Sequence, residues 1–129
     1  MITVDRSTIG DVHVLTPRKN LVGGDETRVL SAAVQELTGN SSVKVVLDLG
    51  RINWVSSLGI EELRRIHRIC ANHQGWMRLA CVGERIENII LTMRLDWVFD
   101  TFDTVEEAAL APARGMEDAP HAWRFGSAV

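Results

Sequence analysis

Residues 43–49 form a nearly continuous apolar, β-branched run of strand length, carried by Val43, Val45, Val46, Leu47 and Leu49. Strands that read this way are covered on both faces, which is the condition of a central strand in an α/β sheet. Helical patterns flank the run on both sides. Before it, Val29, Leu30, Ala33, Val34 and Leu37 recur at helical spacing over 26–38, and Gly39-Asn40 ends the pattern. After it, Ile60, Leu63, Ile66 and Cys70 share one face of a helix over 57–73, with Arg64, Arg65 and Arg68 largely off that face.

The same alternation continues along the chain. A strand is expected at 77–82, a short helix at 84–94 through Ile86, Ile89, Ile90 and Met93, and a strand at 97–102 through Val98, Phe99 and Phe102. Thr104 and Glu107 fit a capping box, so a last helix should run through Ala108 and Leu110. At the start, 2–6 and 10–17 are apolar, β-rich runs around the turn signal Gly10-Asp11, which predicts a β-hairpin closed off by Pro17. Leu21-Val-Gly-Gly-Asp25 reads as a loop whose Asp25 caps the next helix. The order β-β-α-β-α-β-α-β-α gives an α/β fold. It has a mixed sheet of about five strands, parallel in its later part, with an N-terminal hairpin and about four helices mainly on one face. The domain should span 1–111. Beyond Pro112 the composition turns to Ala, Pro, Gly and charge, so 112–129 is expected as a loose tail that Trp123 and Phe125 could dock.

Composition narrows the function by exclusion. The net charge of −3 comes without any Lys/Arg run, which argues against nucleic acid or an anionic membrane surface as the main partner. No stretch approaches the roughly 18 apolar residues of a membrane helix, and the N-terminus lacks a signal-peptide layout. The cytoplasm is therefore the expected compartment. Cys70 and Cys81 read as small buried hydrophobes; with no CxxC and no clustered His, neither a metal nor a cofactor is expected. Catalysis is not expected either. Residues 55–59 read Val-Ser-Ser-Leu-Gly, which is no G-x-S-x-G elbow, and His13, His67, His73 and His121 are scattered without visible pairing to a serine.

The informative stretch is Asp48-Leu49, a loop through Trp54 and Val55, then Ser56-Ser57-Leu58-Gly59-Ile60 entering a helix. The first amides of a helix lack internal partners and its dipole favours negative charge there, so a serine at this point can cap the helix or carry a phosphate that the helix end tolerates.

These residues resemble the STAS family, of the anti-sigma factor antagonist type. Its signature is a hydrophobic strand ending in Asp-Leu, a loop, an Asp-Ser or Ser-Ser pair, any residue, Gly, and an aliphatic residue opening a helix. The opening hairpin, the Gly-Gly-Asp loop and the run from Leu95 to Asp103 extend the likeness over roughly 2–110. The resemblance implies a STAS fold and a non-enzymatic switch. Unphosphorylated, such a protein binds an anti-sigma factor that is also a serine kinase; phosphorylation of Ser57 ends binding and a phosphatase restores it. Ser57 aligns with the family's phosphoserine, and Ser56, the less favoured phosphosite, occupies a position that is often Asp. Asp25, Trp54, Ser56, Ser57, Leu58, Gly59 and Glu61 are the expected partner-facing residues, on a monomer or weak dimer. The alternative is a STAS scaffold subunit of a stressosome-like assembly.

Overall fold

The computed structural model describes residues 4–39 and 42–112. Its opening hairpin pairs β1 (Val4–Ile9) antiparallel with β2 (Val12–Pro17) around a turn whose Gly10 takes φ +61°. Three crossovers follow: α1 (Asp25–Gln35) to β3 (Lys44–Asp48), α2 (Ser57–Asn72) to β4 (Trp76–Ala80), and α3 (Glu84–Thr92) to β5 (Asp100–Phe102). The five strands lie in the order β1-β2-β3-β4-β5, with every pairing after the hairpin parallel. A six-residue helix, α4 (Val105–Leu110), closes the described domain. The α/β architecture expected from the sequence, a mixed five-stranded sheet with an N-terminal hairpin, is the one observed.

The pleat divides the core in two. Val45 and Leu47 of β3 and Met77 and Leu79 of β4 point to the side covered by Leu30 and Val34 of α1, Leu63 and Ile66 of α2, and Ile86 and Ile90 of α3. The alternate residues Val46 and Ala80, with Val12 and Val14, point to the other side, where α4 lays Ala108 and Ala109 on them. Three helices thus share one face and one short helix holds the other.

Four local expectations are corrected. Asp25 does not cap α1: Gly24 is the N-cap and makes no side-chain cap bond, while Asp25 is the first helical residue, exposed and paired with Arg28. The helix ends at Gln35, and Glu36–Gly39 form turns in which Leu37 still packs on the core. The apolar run at 97–99 is not strand. Arg94, at φ 58°, turns the chain out of α3; a 3-10 turn over Leu95–Trp97 then places Leu95 and Phe99, four apart, on the same buried side, and β5 begins only at Asp100. Cys81 lies just past β4 with φ 57°, not inside the strand. The tail with Trp123 and Phe125 lies outside the described residues.

Both cysteines are free. Burial pushes the Cys70 thiol up to about 12, and burial with the nearby Asp48 carboxylate raises that of Cys81, so neither is a ready nucleophile at neutral pH.

Candidate functional site

In a sheet whose strands run parallel, the loops after the strands and the helix N-termini that follow them gather at the carboxyl edge, where open α/β sheets bind their ligands. Here that edge carries the loop before α1, the β3–α2 loop and the first turn of α2.

The two serines have different jobs. Ser56 is the N-cap of α2: its Oγ accepts the Gly59 amide at 3.3 Å, and its own amide donates to the Leu21 carbonyl at 2.9 Å. Ser57 is the first helical residue, exposed, and its hydroxyl makes no hydrogen bond among the described residues. Its neighbour Leu58 is 63% exposed, an unusual position for a leucine at a helix start. Glu61, one turn on, is exposed as well.

Gly59 is a contact residue. A Cβ there would stand 2.2 Å from the Leu21 carbonyl oxygen and 2.7 Å from the Val55 side chain, so only glycine lets α2 start this close to the preceding loop. Leu21 and Val55 form an isolated parallel bridge at the same place, and the Leu21 amide donates to the Trp54 carbonyl at 3.3 Å. The loop before α1 therefore serves as a short extra strand that clamps the serine loop. Gly23, at φ +88°, lets that loop fold onto Leu58; a Cβ would approach the Leu58 Cβ to 2.7 Å.

Glu26 fastens the same loop. Its Oε1 accepts the amides of Val22 (2.8 Å) and Gly24 (3.1 Å), while the Gly23 amide donates to Thr27 Oγ1 at 3.0 Å. Burial works to raise the Glu26 carboxyl, yet these amides and the Thr27 hydroxyl outweigh it and hold it below the usual carboxylate range. Across the loop, Asn20 Oδ1 accepts the amides of Asn53 (3.0 Å) and Trp54 (3.2 Å). Asp48 Oδ1 accepts the Gly50 amide at 2.9 Å and so orders the start of the β3–α2 loop.

Gly23 and Leu58, next to the exposed Val22 and Ser57 in the chain, border a depression of about 350 Å³ that is also walled by Arg28, Glu61, Arg65 and Arg68. Asp25 stands at its rim through its pair with Arg28. Trp54 leans the other way, over α3, with the Arg85 guanidinium carbon 5.1 Å from its ring centroid. Sequence patterns missed Asn20, Leu21, Glu26 and Arg85. Glu26 had a signal, a carboxylate at the second helical position behind a Gly-Gly loop; the others act through backbone atoms or across loops and leave no periodic trace.

Among the described residues no histidine is placed beside Ser57 as a nucleophilic triad requires. His67 packs edge-on against Phe99 with centroids 6.0 Å apart, and burial lowers its pKa; the His73 ring bonds the Ile69 carbonyl at 2.9 Å; His13 lies in β2. None of the three is hydrogen bonded to Ser57. Among the described residues no group of three His, Cys, Asp or Glu is placed to hold a metal, and no helix is long and apolar enough to cross a membrane.

The STAS domain family matches residues 3–108. The chain belongs to the STAS family. Among solved structures, this STAS domain resembles a Thermotoga maritima protein assigned as an anti-sigma factor antagonist, at 22% identity over 81% of this chain and 90% of that one, with a TM-score of 0.74. It also resembles an anti-sigma factor antagonist from Mycobacterium paratuberculosis (20% identity, 86% and 93% covered, TM-score 0.71) and the anti-sigma factor antagonist SpoIIAA in its unphosphorylated form (13%, 84% and 94%, 0.64). At these identities the likeness is one of fold. No curated protein matches the chain by sequence.

Proposed function

We propose that this STAS domain is a cytoplasmic, non-enzymatic anti-sigma factor antagonist. Its unphosphorylated form binds an anti-sigma factor with serine kinase activity; phosphorylation of Ser57 breaks the complex and a phosphatase restores it. The observation that carries the reading is the state of Ser57: an exposed residue whose hydroxyl makes no hydrogen bond among the described residues, at the start of α2, beside the exposed Leu58. A kinase can reach it, and a partner packed on Leu58 would feel any charge placed there. Ser56, whose Oγ is engaged by the Gly59 amide, is the poorer acceptor.

The physical basis is a change of about −1.5 to −2 in charge together with added bulk at a packed contact. In water the helix end tolerates that charge. Against a desolvated partner surface the same charge costs several kcal/mol. Asp25, Trp54, Leu58, Gly59 and Glu61 belong to the partner surface in this reading, Gly59 by setting how α2 meets the loop.

The test uses Ser57→Ala and Ser57→Glu proteins and the native host's lysate. The Ala variant should retain the anti-sigma factor, and the Glu variant should bind it at least tenfold more weakly, about 1.4 kcal/mol. With ATP and the cognate kinase, fragmentation mass spectrometry should place phosphate on Ser57. Equal binding by both variants removes Ser57 from the readout, and phosphate on Ser56 alone moves the switch by one residue. A large self-assembly in gel filtration replaces the antagonist reading with that of a scaffold subunit.

A further inference from the structure

Arg85, Ile89 and Met93 stand four residues apart and so form one stripe along α3 and its C-cap. Ile86 and Ile90 anchor α3 in the core and Ile89 packs partly against it, which leaves the two ends of the stripe, Arg85 and Met93, on the surface. Met93 is 44% exposed and Trp54, facing it across the loop, is 40% exposed. Between them lies a depression of about 440 Å³, completed by Asn88 and Thr92. Its lining carries one formal charge, Arg85, which stacks on Trp54 and forms no ion pair among the described residues. A cation at one end of an apolar trough, on a chain of net charge −3, complements a carboxylate attached to an apolar body.

Walls as exposed as Trp54 and Met93 suit side chains presented by a second polypeptide. The Trp54 wall is tied to the loops beside α2: its amide donates to Asn20 Oδ1 and its carbonyl accepts the Leu21 amide.

We propose that this trough is a second docking site for the protein that binds at Ser57. It takes a segment whose large aliphatic or aromatic side chain settles between Trp54 and Met93 while a neighbouring Asp or Glu pairs with Arg85. The inference rests on reading the chain as a switch with a protein partner. Ser57 supplies the switching, and the trough supplies the choice of partner.

The protein retained from host lysate by the Ser57→Ala chain is identified and purified, and its affinity is measured for wild type, Arg85→Glu, Met93→Asp and Ser57→Glu. Arg85→Glu and Met93→Asp should each bind at least tenfold more weakly with unchanged circular dichroism. A Lys in place of the partner's acidic residue should restore binding to Arg85→Glu. A photo-crosslinker at Asn88 should capture that acidic and apolar segment. Affinities within twofold of wild type for both α3 variants overturn the proposal. So does a crosslink to a second copy of this chain, and so does recovery of no partner at all. Loss of binding by Ser57→Glu alone sinks the trough and leaves the switch standing; loss by the α3 variants alone does the reverse.

Discussion

Ser56 and Ser57 are chemically identical neighbours, and the start of α2 makes them opposites. Ser56 spends its oxygen on the Gly59 amide, whereas Ser57 is exposed and its hydroxyl makes no hydrogen bond among the described residues. Ser56→Ala should therefore lower stability by about 1 kcal/mol, the usual loss for an N-cap. Ser57→Ala, a surface change with no bond to lose, should stay within about 0.5 kcal/mol of wild type. Urea unfolding of the two variants checks this, and the reverse ranking would mean that Ser57 is the cap. A serine pair before a Gly was legible as a helix start, but which serine does the capping was not, because the register depends on where Leu21 holds the chain. Asp25 shows the same limit. It has a capping residue's chemistry, yet the neighbouring Glu26 reaches the loop amides and leaves Asp25 on the surface with Arg28.

At six residues α4 is too short to be stable alone. Thr104 caps its start through the Glu107 amide at 3.1 Å, as the capping box predicts. Its end is held by a residue that no local pattern connects to it. Arg78 of β4, buried and stacked 3.7 Å from the Trp76 ring centroid, donates to the carbonyls of Ala108 and Ala111 at 2.8 Å each and of Pro112 at 3.2 Å. A cation at a helix C-terminus also meets the negative end of the dipole. Arg78→Met keeps much of the bulk and leaves those carbonyls without this donor, so stability should fall by about 1.5–3 kcal/mol. Hydrogen exchange localises the effect: amides of α4 should lose protection strongly, those of α2 only by the global change. Equal loss in both helices would mean that Arg78 supports the sheet and not α4. An arginine in a strand that otherwise reads Trp-Met-x-Leu-Ala is itself a sequence-level anomaly, and it marks a long-range bond that spacing alone cannot locate.

Across the whole molecule, the strand order follows chain order, and the domain's two faces are unequal, with three helices on one and α4 on the other. Ser57 lies at the carboxyl edge, outside both cores, so a charge there should act on partners and not on folding. A phosphate or Glu at the first helical residue gains about 0.3–1 kcal/mol from the dipole. Repulsion from Glu61 is of similar size and screened over about 8–10 Å at physiological salt. Ser57→Glu and phosphorylated protein should melt within a few degrees of wild type, with superimposable circular dichroism spectra. A marked loss of helical signal on phosphorylation would replace surface charge by unfolding as the switch mechanism.

Periodicity and turn chemistry alone determined the class, the element order, the hairpin and the parallel crossovers, since each rests on residues within one turn or one strand of each other. The stretch from Asp48 to Ile60 marked the site in the same way, by strand end, loop, serine pair and glycine. Tertiary structure decided the rest. Leu95 and Phe99 are apolar in any reading, but only the left-handed Arg94 turns their segment into a 3-10 turn instead of strand. Gly59 is legible as a costly residue in a helix, yet its reason is the Leu21 carbonyl, 38 positions earlier, closing on it from another loop. Arg78 under α4 and Arg85 over Trp54 are joined to their partners in the same way, through space. Contacts between residues far apart in the chain depend on how layers pack, and packing leaves no period in the sequence for such pairs.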